Sequence, residues 1–160
     1  MNYKDPKVKQ AGEIVQSFMK ISRVLTKLTS RNAESLGLTL QQMGILNLIS
    51  ANPEITLKGI TDKLQLPKST VSINVDNLVN LEIINRKVIE ENRREIHLTS
   101  TEKGKELSKK SCQNALSYKA MILALEKIPK EDIQVLIKIH NKLLSYLQDK
   151  GEWRCTPFES

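Results

Sequence analysis

Apolar residues between Val8 and Ser35 recur with a helical beat. Ile14, Phe18, Ile21, Leu25 and Leu28 stand 4, 3, 4 and 3 positions apart, which stacks them on one face of a helix. Val8, Ala11, Val15 and Ser22 widen that face. A helix lying only on its own domain needs a narrower stripe, so this breadth predicts burial on two sides. Gly37 is the expected helix stop.

Shorter segments follow. Thr39 predicts the cap of a helix from Leu40 to Ala51, with Met43, Leu46 and Ile49 inward and Asn52-Pro53 as its break. Thr56 predicts the cap of a third helix ending at Leu64, with Leu57, Ile60 and Leu64 inward. Pro67 opens a fourth, because its missing N–H costs nothing in a first turn. Val71, Val75, Leu78 and Leu81 form the inward stripe of that helix. Its opposite face carries Lys68, Ser69, Ser72, Ile73, Asp76 and Asn80, flanked by Thr70, Asn74 and Asn77.

The period then shortens. Ile83-Ile84 leads into β-branched Arg86-Lys87-Val88-Ile89-Glu90, and Glu95-Ile96-His97-Leu98-Thr99 alternates polar and apolar. Two short strands around the polar tip Glu91-Asn92-Arg93-Arg94 predict a hairpin with His97 facing outward. Thr99-Ser100-Thr101-Glu102 fits a capping box. The long helix expected after it runs to Glu126, with Leu107, Ser111, Ala115, Tyr118, Ile122 and Leu125 as its stripe and Cys112 at least half-buried. After Pro129, Lys130 to Gln148 predicts a last helix, with Ile133, Leu136, Ile137, His140, Leu143, Leu144 and Leu147 inward. The expected class is mainly α with a small two-stranded β-wing, in the order α-α-α-α-β-β-α-α.

Composition narrows the function. The 160 residues carry 25 Lys+Arg against 18 Asp+Glu, a net charge of +7, which favours an acidic partner. Residues 1–35 hold 7 basic and 3 acidic groups, residues 36–85 hold 3 and 4, and residues 86–110 hold 8 and 5. The positive excess therefore lies in 1–35 and 86–110, outside the block that holds the fourth helix. Aromatic content is only 4%, so the core must be built from Leu, Ile, Val and Met. No apolar run approaches the ~18 residues of a membrane span. Met1 to Lys7 contain no apolar run either, so the expectation is a cytoplasmic protein without a secretory leader. The two cysteines, Cys112 and Cys155, do not make a disulfide scaffold.

Enzymatic chemistry is not expected. Gly12, Gly37, Gly44, Gly59, Gly104 and Gly151 form no phosphate-cradling loop, and no His-Glu-x-x-His or Gly-x-Ser-x-Gly stretch occurs. His97 and His140 lie 43 positions apart, away from any cysteine pair, so neither a metal nor another cofactor is expected.

Two short helices joined by a tight turn, the second polar on one face, make a helix-turn-helix, and the hairpin after it makes the motif winged. A helix ~10–12 Å across fits the major groove of DNA. Short polar side chains on its outer face reach base edges, and arginines on a hairpin reach phosphates or the minor groove. The expected DNA contacts are Lys68, Ser69, Thr70, Ser72, Asn74 and Asn77 on the helix, with Arg86, Arg93 and Arg94 on the wing. A winged module used for protein contacts or as a non-specific DNA coat is the rival reading; a sequence-specific footprint separates the two.

From Leu38 to Gly104 the chain resembles the MarR family of transcription regulators. The resemblance is carried by Leu38-Thr39-Leu40-Gln41-Gln42, by Leu66-Pro67-Lys68-Ser69-Thr70-Val71-Ser72 with Val75 and Leu78, and by Ile83-Ile84-Asn85-Arg86. Asn92-Arg93-Arg94, Ile96-His97-Leu98-Thr99 and Glu102-Lys103-Gly104 complete it. It implies an obligate homodimer joined through residues 1–37 and 101–148, a DNA-binding domain over 38–100, and a C-terminal tail over 149–160. It also implies repression at a palindromic operator and release by a small aromatic or apolar acid. The chain departs from the family's pattern at Ile73, often basic there, at Asn74, where an apolar residue is common, and at Glu82, usually Gly. Gly59-Ile60-Thr61 stands for a more usual Glu-Leu-Ala, and Asn92 for Asp.

Overall fold

Asp5 accepts a hydrogen bond from the Lys7 N–H at 2.8 Å and starts α1, Pro6–Glu34, with Pro6 in the first turn where no N–H is needed. The helix ends as its sequence predicts. Gly37 takes a left-handed φ of 70°, its N–H bonds Glu34 O at 3.0 Å, and the Leu38 N–H bonds Ala33 O at 3.0 Å, the two closing bonds of a Schellman turn. The computed structural model describes residues 4–89 and 92–148. The tail with Cys155, and Glu90 and Glu91 of the wing, lie outside these residues.

The chain divides into two compact units, Met1–Ser117 and Tyr118–Ser160. In the first, α2 (Leu40–Ala51) begins at a full capping box. The Gln42 N–H donates to Thr39 Oγ1 at 3.2 Å, and the Thr39 N–H donates to Gln42 Oε1 at 2.9 Å. Strand β1 (Ile55–Thr56) leads straight into α3 (Leu57–Leu64), capped by Thr56, and α4 (Lys68–Asn80) follows. Ile45, Leu46, Ile49, Ile60, Val71, Val75, Leu78, Ile84 and Leu98 are fully buried and form the core between these helices and the sheet. Burying one such side chain stabilises by roughly 1.5–3 kcal/mol.

The sheet has three strands rather than the expected two. Its order is β1-β3-β2, antiparallel throughout, with β2 at Ile84–Ile89 and β3 at Asn92–Ser100. Ile55 and Thr56 pair with Leu98 and His97 on one side of β3, and Arg86 and Lys87 pair with the same two residues on the other. His97 thus stands on a central strand and is half-buried, not outward in solvent. Between Val88 and Ile89 the partner jumps from Ile96 to Asn92. Arg93, Arg94 and Glu95 make up the extra length, as in a bulge. Arg93 and Arg94 are therefore strand residues, not the tip.

The long helix expected after the wing is two helices. Thr101, not Thr99, is its cap: Thr101 Oγ1 accepts from the Gly104 N–H at 3.1 Å, while Thr99 is still in β3. Helix α5 spans Glu102–Gln113, the chain breaks at Asn114, and α6 runs over Leu116–Leu125. Cys112 is exposed, and Ser111 beside it faces in. A buried polar seam explains that choice. Ser108 and Ser111 each donate to Asn47 Oδ1 at 2.9 Å, and the Asn32 amide donates to Ser111 O at 2.8 Å, so the seam joins α1, α2 and α5.

Helix α1 buries only Asn32 and Ala33 within its own chain. Ile14, Val15, Phe18, Met19, Ile21 and Val24 are exposed, Val24 at 59%. In the second unit α7 spans Lys130–Gln148, as its periodicity predicts, but its stripe is not inward. Leu136, Ile137, His140, Leu144 and Leu147 are exposed, Leu147 at 61%.

Candidate nucleic-acid interface

Helix α4 is held on one side and open on the other. Val71, Val75 and Leu78 anchor it in the core, and Lys68, Ser69, Ile73, Asn77 and Asn80 are exposed. Thr70 and Ser72 are half-buried at the edges of the open face. Pro67 precedes the helix, and no side chain caps its first turn. The N–H groups of the first turn are thus without a capping side chain at the positive end of the helix dipole, an arrangement that suits phosphate.

Asn74 departs from the expectation. It is 8% exposed, and its amide donates to Gln41 Oε1 of α2 at 3.4 Å and to Thr70 O of its own helix at 2.8 Å. A polar residue that near the core needs partners, and these supply them. These bonds tie the Asn74 amide group to α2 and to its own helix, behind the exposed residues of the open face. Gln41 lies in a stretch that carries the family resemblance, but its pairing with Asn74, 33 positions away, leaves no mark on local periodicity.

Arg86 of β2 forms a salt bridge with Asp76 of α4. The pair sews the wing's first strand to the helix and neutralises the one carboxylate on the outer face of α4. Lys87 of β2 lies 4.0 Å from Glu54. Lys103 Nζ donates to Leu81 O at 2.8 Å, a cation at the negative end of α4. Lys105 pairs with Glu102 at 2.7 Å and Lys110 with Glu106 at 2.8 Å. The hydrogen bond and charge of Lys110 hold the Glu106 carboxyl below the usual carboxylate range. Much of the basic cluster at 86–110 is thus engaged within the chain. Arg93 and Arg94 lie in the irregular stretch of β3.

An open groove of about 360 Å³ runs beside α1, lined by Phe18, Ile21, Leu25, Thr29 and Leu40. It is large enough for a small organic ligand. Among the described residues no three His, Cys, Asp or Glu side chains gather as a metal site, and no helix is long and apolar enough to cross a membrane.

The comparisons agree with this architecture. The MarR family model matches residues 36–95, the segment from the end of α1 into the wing. A multiple antibiotic-resistance repressor from Listeria monocytogenes is 30% identical, over 91% of this chain and 99% of that one, with a TM-score of 0.64. A Staphylococcus aureus MarR in complex with salicylate and kanamycin is 26% identical, over 92% and 97% of the two chains, with a TM-score of 0.75. FabT from Streptococcus pneumoniae, in complex with DNA, is 23% identical over 88% and 97%, with a TM-score of 0.70, and shares the fold. No curated protein matches the chain. With its winged helix-turn-helix and a 30% identical repressor matched along nearly its whole length, the chain belongs to the MarR family of DNA-binding transcription regulators.

Proposed function

We propose that the chain is a repressor that binds a palindromic operator as a homodimer and releases it when a small aromatic or apolar acid binds. The observation that carries the DNA reading is the open face of α4, with Lys68, Ser69 and Asn77 exposed beside a basic wing. Lys68, Ser69, Thr70, Ser72 and Asn77 are the helix contacts in this reading, and Arg86, Arg93 and Arg94 the wing contacts. Asn74 acts behind them, as a positioning residue.

Homodimerisation is supported by the apolar faces left uncovered on α1 and α7. Residues 1–37 and 101–148 then form the dimerisation region and residues 38–100 the DNA-binding domain. A two-fold interface buries the same patch on both chains, and obligate ones typically cover roughly 2,000 Å² or more. Two symmetric recognition helices read half-sites about one helical turn apart, ~10 bp centre to centre. The reading places the protein in the cytoplasm, with its DNA.

The groove beside α1 and the salicylate held by the S. aureus relative support an acid effector. Such a ligand acts only if it binds the DNA-ready and DNA-averse arrangements with different affinity. A footprint across the protein's own upstream region, with and without small carboxylates and phenols, tests the whole reading. Symmetric protection that disappears on adding a ligand is expected. Protection of an asymmetric site, or a monomeric mass by sedimentation at micromolar concentration, defeats the dimer. If oxidants rather than acids release the DNA, the exposed thiol of Cys112 replaces the groove as the sensor.

A further inference from the structure

Ile73 stands in the middle of the outward face of α4 and is 60% exposed. Ser69 lies one turn before it, and Asp76 and Asn77 one turn after. The core does not use this residue, since Val71, Val75 and Leu78 already fill the inward face. The helix does not ask for it either, because a β-branched side chain lowers helix propensity. Nor does it belong to a larger apolar patch on the helix: the exposed apolar residues of α1 and α7 come in runs, whereas Ile73 stands among polar neighbours.

The face around it is poor in cations. Lys68, at the first position, is the only Lys or Arg within α4, and the carboxylate of Asp76 is held by Arg86. Arginine or lysine on guanine, the commonest base contact, is therefore ruled out along most of the helix. The apolar feature that a base pair shows in the major groove is the C5-methyl of thymine. A single apolar side chain on a polar recognition face matches that feature and no hydrogen-bonding edge.

We propose that Ile73 is a specificity-determining residue that packs against a thymine methyl in each half-site. The inference rests on the DNA reading above and adds which base the middle of the helix selects. It also gives the departure at Ile73 a consequence: where a basic residue would favour guanine or phosphate, isoleucine favours an A·T pair in one orientation.

The test begins with selection of bound sites from a random duplex pool by the full-length protein. Each thymine of the selected site is then replaced by deoxyuridine, which pairs identically and lacks only the methyl. Wild type should lose about fourfold in affinity at one thymine per half-site, the contribution of one buried carbon at ~0.8 kcal/mol. Replacing both symmetric thymines should cost about fifteenfold. Ile73→Ala, at an exposed position and with higher helix propensity, should fold normally and bind both duplexes equally. Indifference of wild type to deoxyuridine at every position overturns the inference while leaving the DNA reading intact. So does an undiminished deoxyuridine penalty in Ile73→Ala. A pool with no enriched sequence overturns both.

Discussion

The α-carbon of Gly104 lies against the backbone carbonyl of Ile83 so closely that a β-carbon at residue 104 would stand 2.1 Å from the oxygen. Thr101 draws the two segments together. Its N–H donates to Ile83 O at 3.0 Å, and its hydroxyl donates to Glu82 O at 2.9 Å with Ile83 O a second acceptor at 3.0 Å. The exit of α4, the base of the wing and the start of α5 therefore meet at one backbone joint.

Gly104→Ala should strain that joint severely. Its neighbour is backbone, which cannot rotate away as a side-chain tip would. Overpacking typically costs 1–3 kcal/mol, and we expect about 3 kcal/mol here. Urea denaturation followed by circular dichroism measures it. A loss below about 0.5 kcal/mol, the scale of neutral surface changes, would show that α5 slides freely on the wing.

Glu82→Gly should stabilise the protein. Glu82 holds a left-handed φ of 58°. Its N–H bonds Val79 O at 2.8 Å and the next N–H bonds Leu78 O at 3.0 Å, so it occupies the Schellman position that glycine fills in most helices. A non-glycine residue in this region costs about 1 kcal/mol or more. Relieving it should raise the melting temperature by roughly 2–8 °C, depending on the size of the cooperative unit. Glu82→Ala, which keeps the β-carbon, should leave the melting temperature nearly unchanged. Equal shifts in the two variants would place the cost in the carboxylate rather than the backbone.

The same joint shows what sequence reveals and what it hides. Glu82 is legible as a departure only through the resemblance to the MarR family, which usually has Gly there. The caps Thr39 and Thr56 and the stop at Gly37 are legible too, because their partners lie within a few positions, whereas Thr99-Ser100-Thr101-Glu102 points to Thr99 and the cap is Thr101. Strand β1 is not legible, since two residues carry no alternation, and only pairing with Leu98 and His97 makes Ile55–Thr56 a strand. The break at Asn114 is hidden because the apolar stripe Leu107, Ser111, Ala115, Tyr118 continues past it in phase. Cys112 reads as at least half-buried because free cysteines usually are; helical phase puts Ser111 on the inward stripe, but its partner Asn47, 64 positions away, leaves no local trace. On the candidate site, the outward placement of Ser69 and Ile73 follows from helical phase. The inward turn of Asn74 and the pairing of Arg86 with Asp76 do not, because both depend on a second element.

That difference separates two residues on one helix. Asn74→Ala removes a buried amide bonded to Gln41 and Thr70 and should cost about 1–3 kcal/mol of folding stability. Its effect on DNA should be a general weakening as α4 loosens. Ser69→Ala changes an exposed side chain and should leave stability within about 0.5 kcal/mol. If Ser69 reads the operator, its removal should cost about 1–3 kcal/mol there and little on random duplex. Denaturation and a titration on both duplexes give the two quantities for each variant. Unchanged stability in Asn74→Ala, with weaker binding confined to one base pair, would return Asn74 to the DNA contacts.

The wing should supply affinity more than specificity, and the structure narrows where. Residues 36–85 carry 3 basic and 4 acidic groups, and residues 86–110 carry 8 and 5. Among the described residues of that stretch, five cations have partners within the chain: Arg86 with Asp76, Lys87 with Glu54, Lys103 with Leu81 O, Lys105 with Glu102 and Lys110 with Glu106. Arg93 and Arg94, in the irregular stretch of β3, are the residues to test for phosphate or groove binding. Each phosphate neutralised by an arginine releases counterions and adds about −0.9 to the slope of log affinity against log salt. Changing both arginines to alanine should weaken operator and scrambled duplex alike and flatten the slope by about one unit for each phosphate no longer neutralised. If the side chains enter the minor groove, a modest preference for A·T pairs should fade as well. Ser69→Ala makes the contrast, since a base-reading hydroxyl alters operator affinity at constant slope. Titrations at three salt concentrations on both duplexes separate these outcomes. An unchanged slope and unchanged scrambled-duplex affinity in the double arginine variant would mean that Arg93 and Arg94 only face solvent, and that the affinity comes from the start of α4, where Lys68 and the uncapped N–H groups stand.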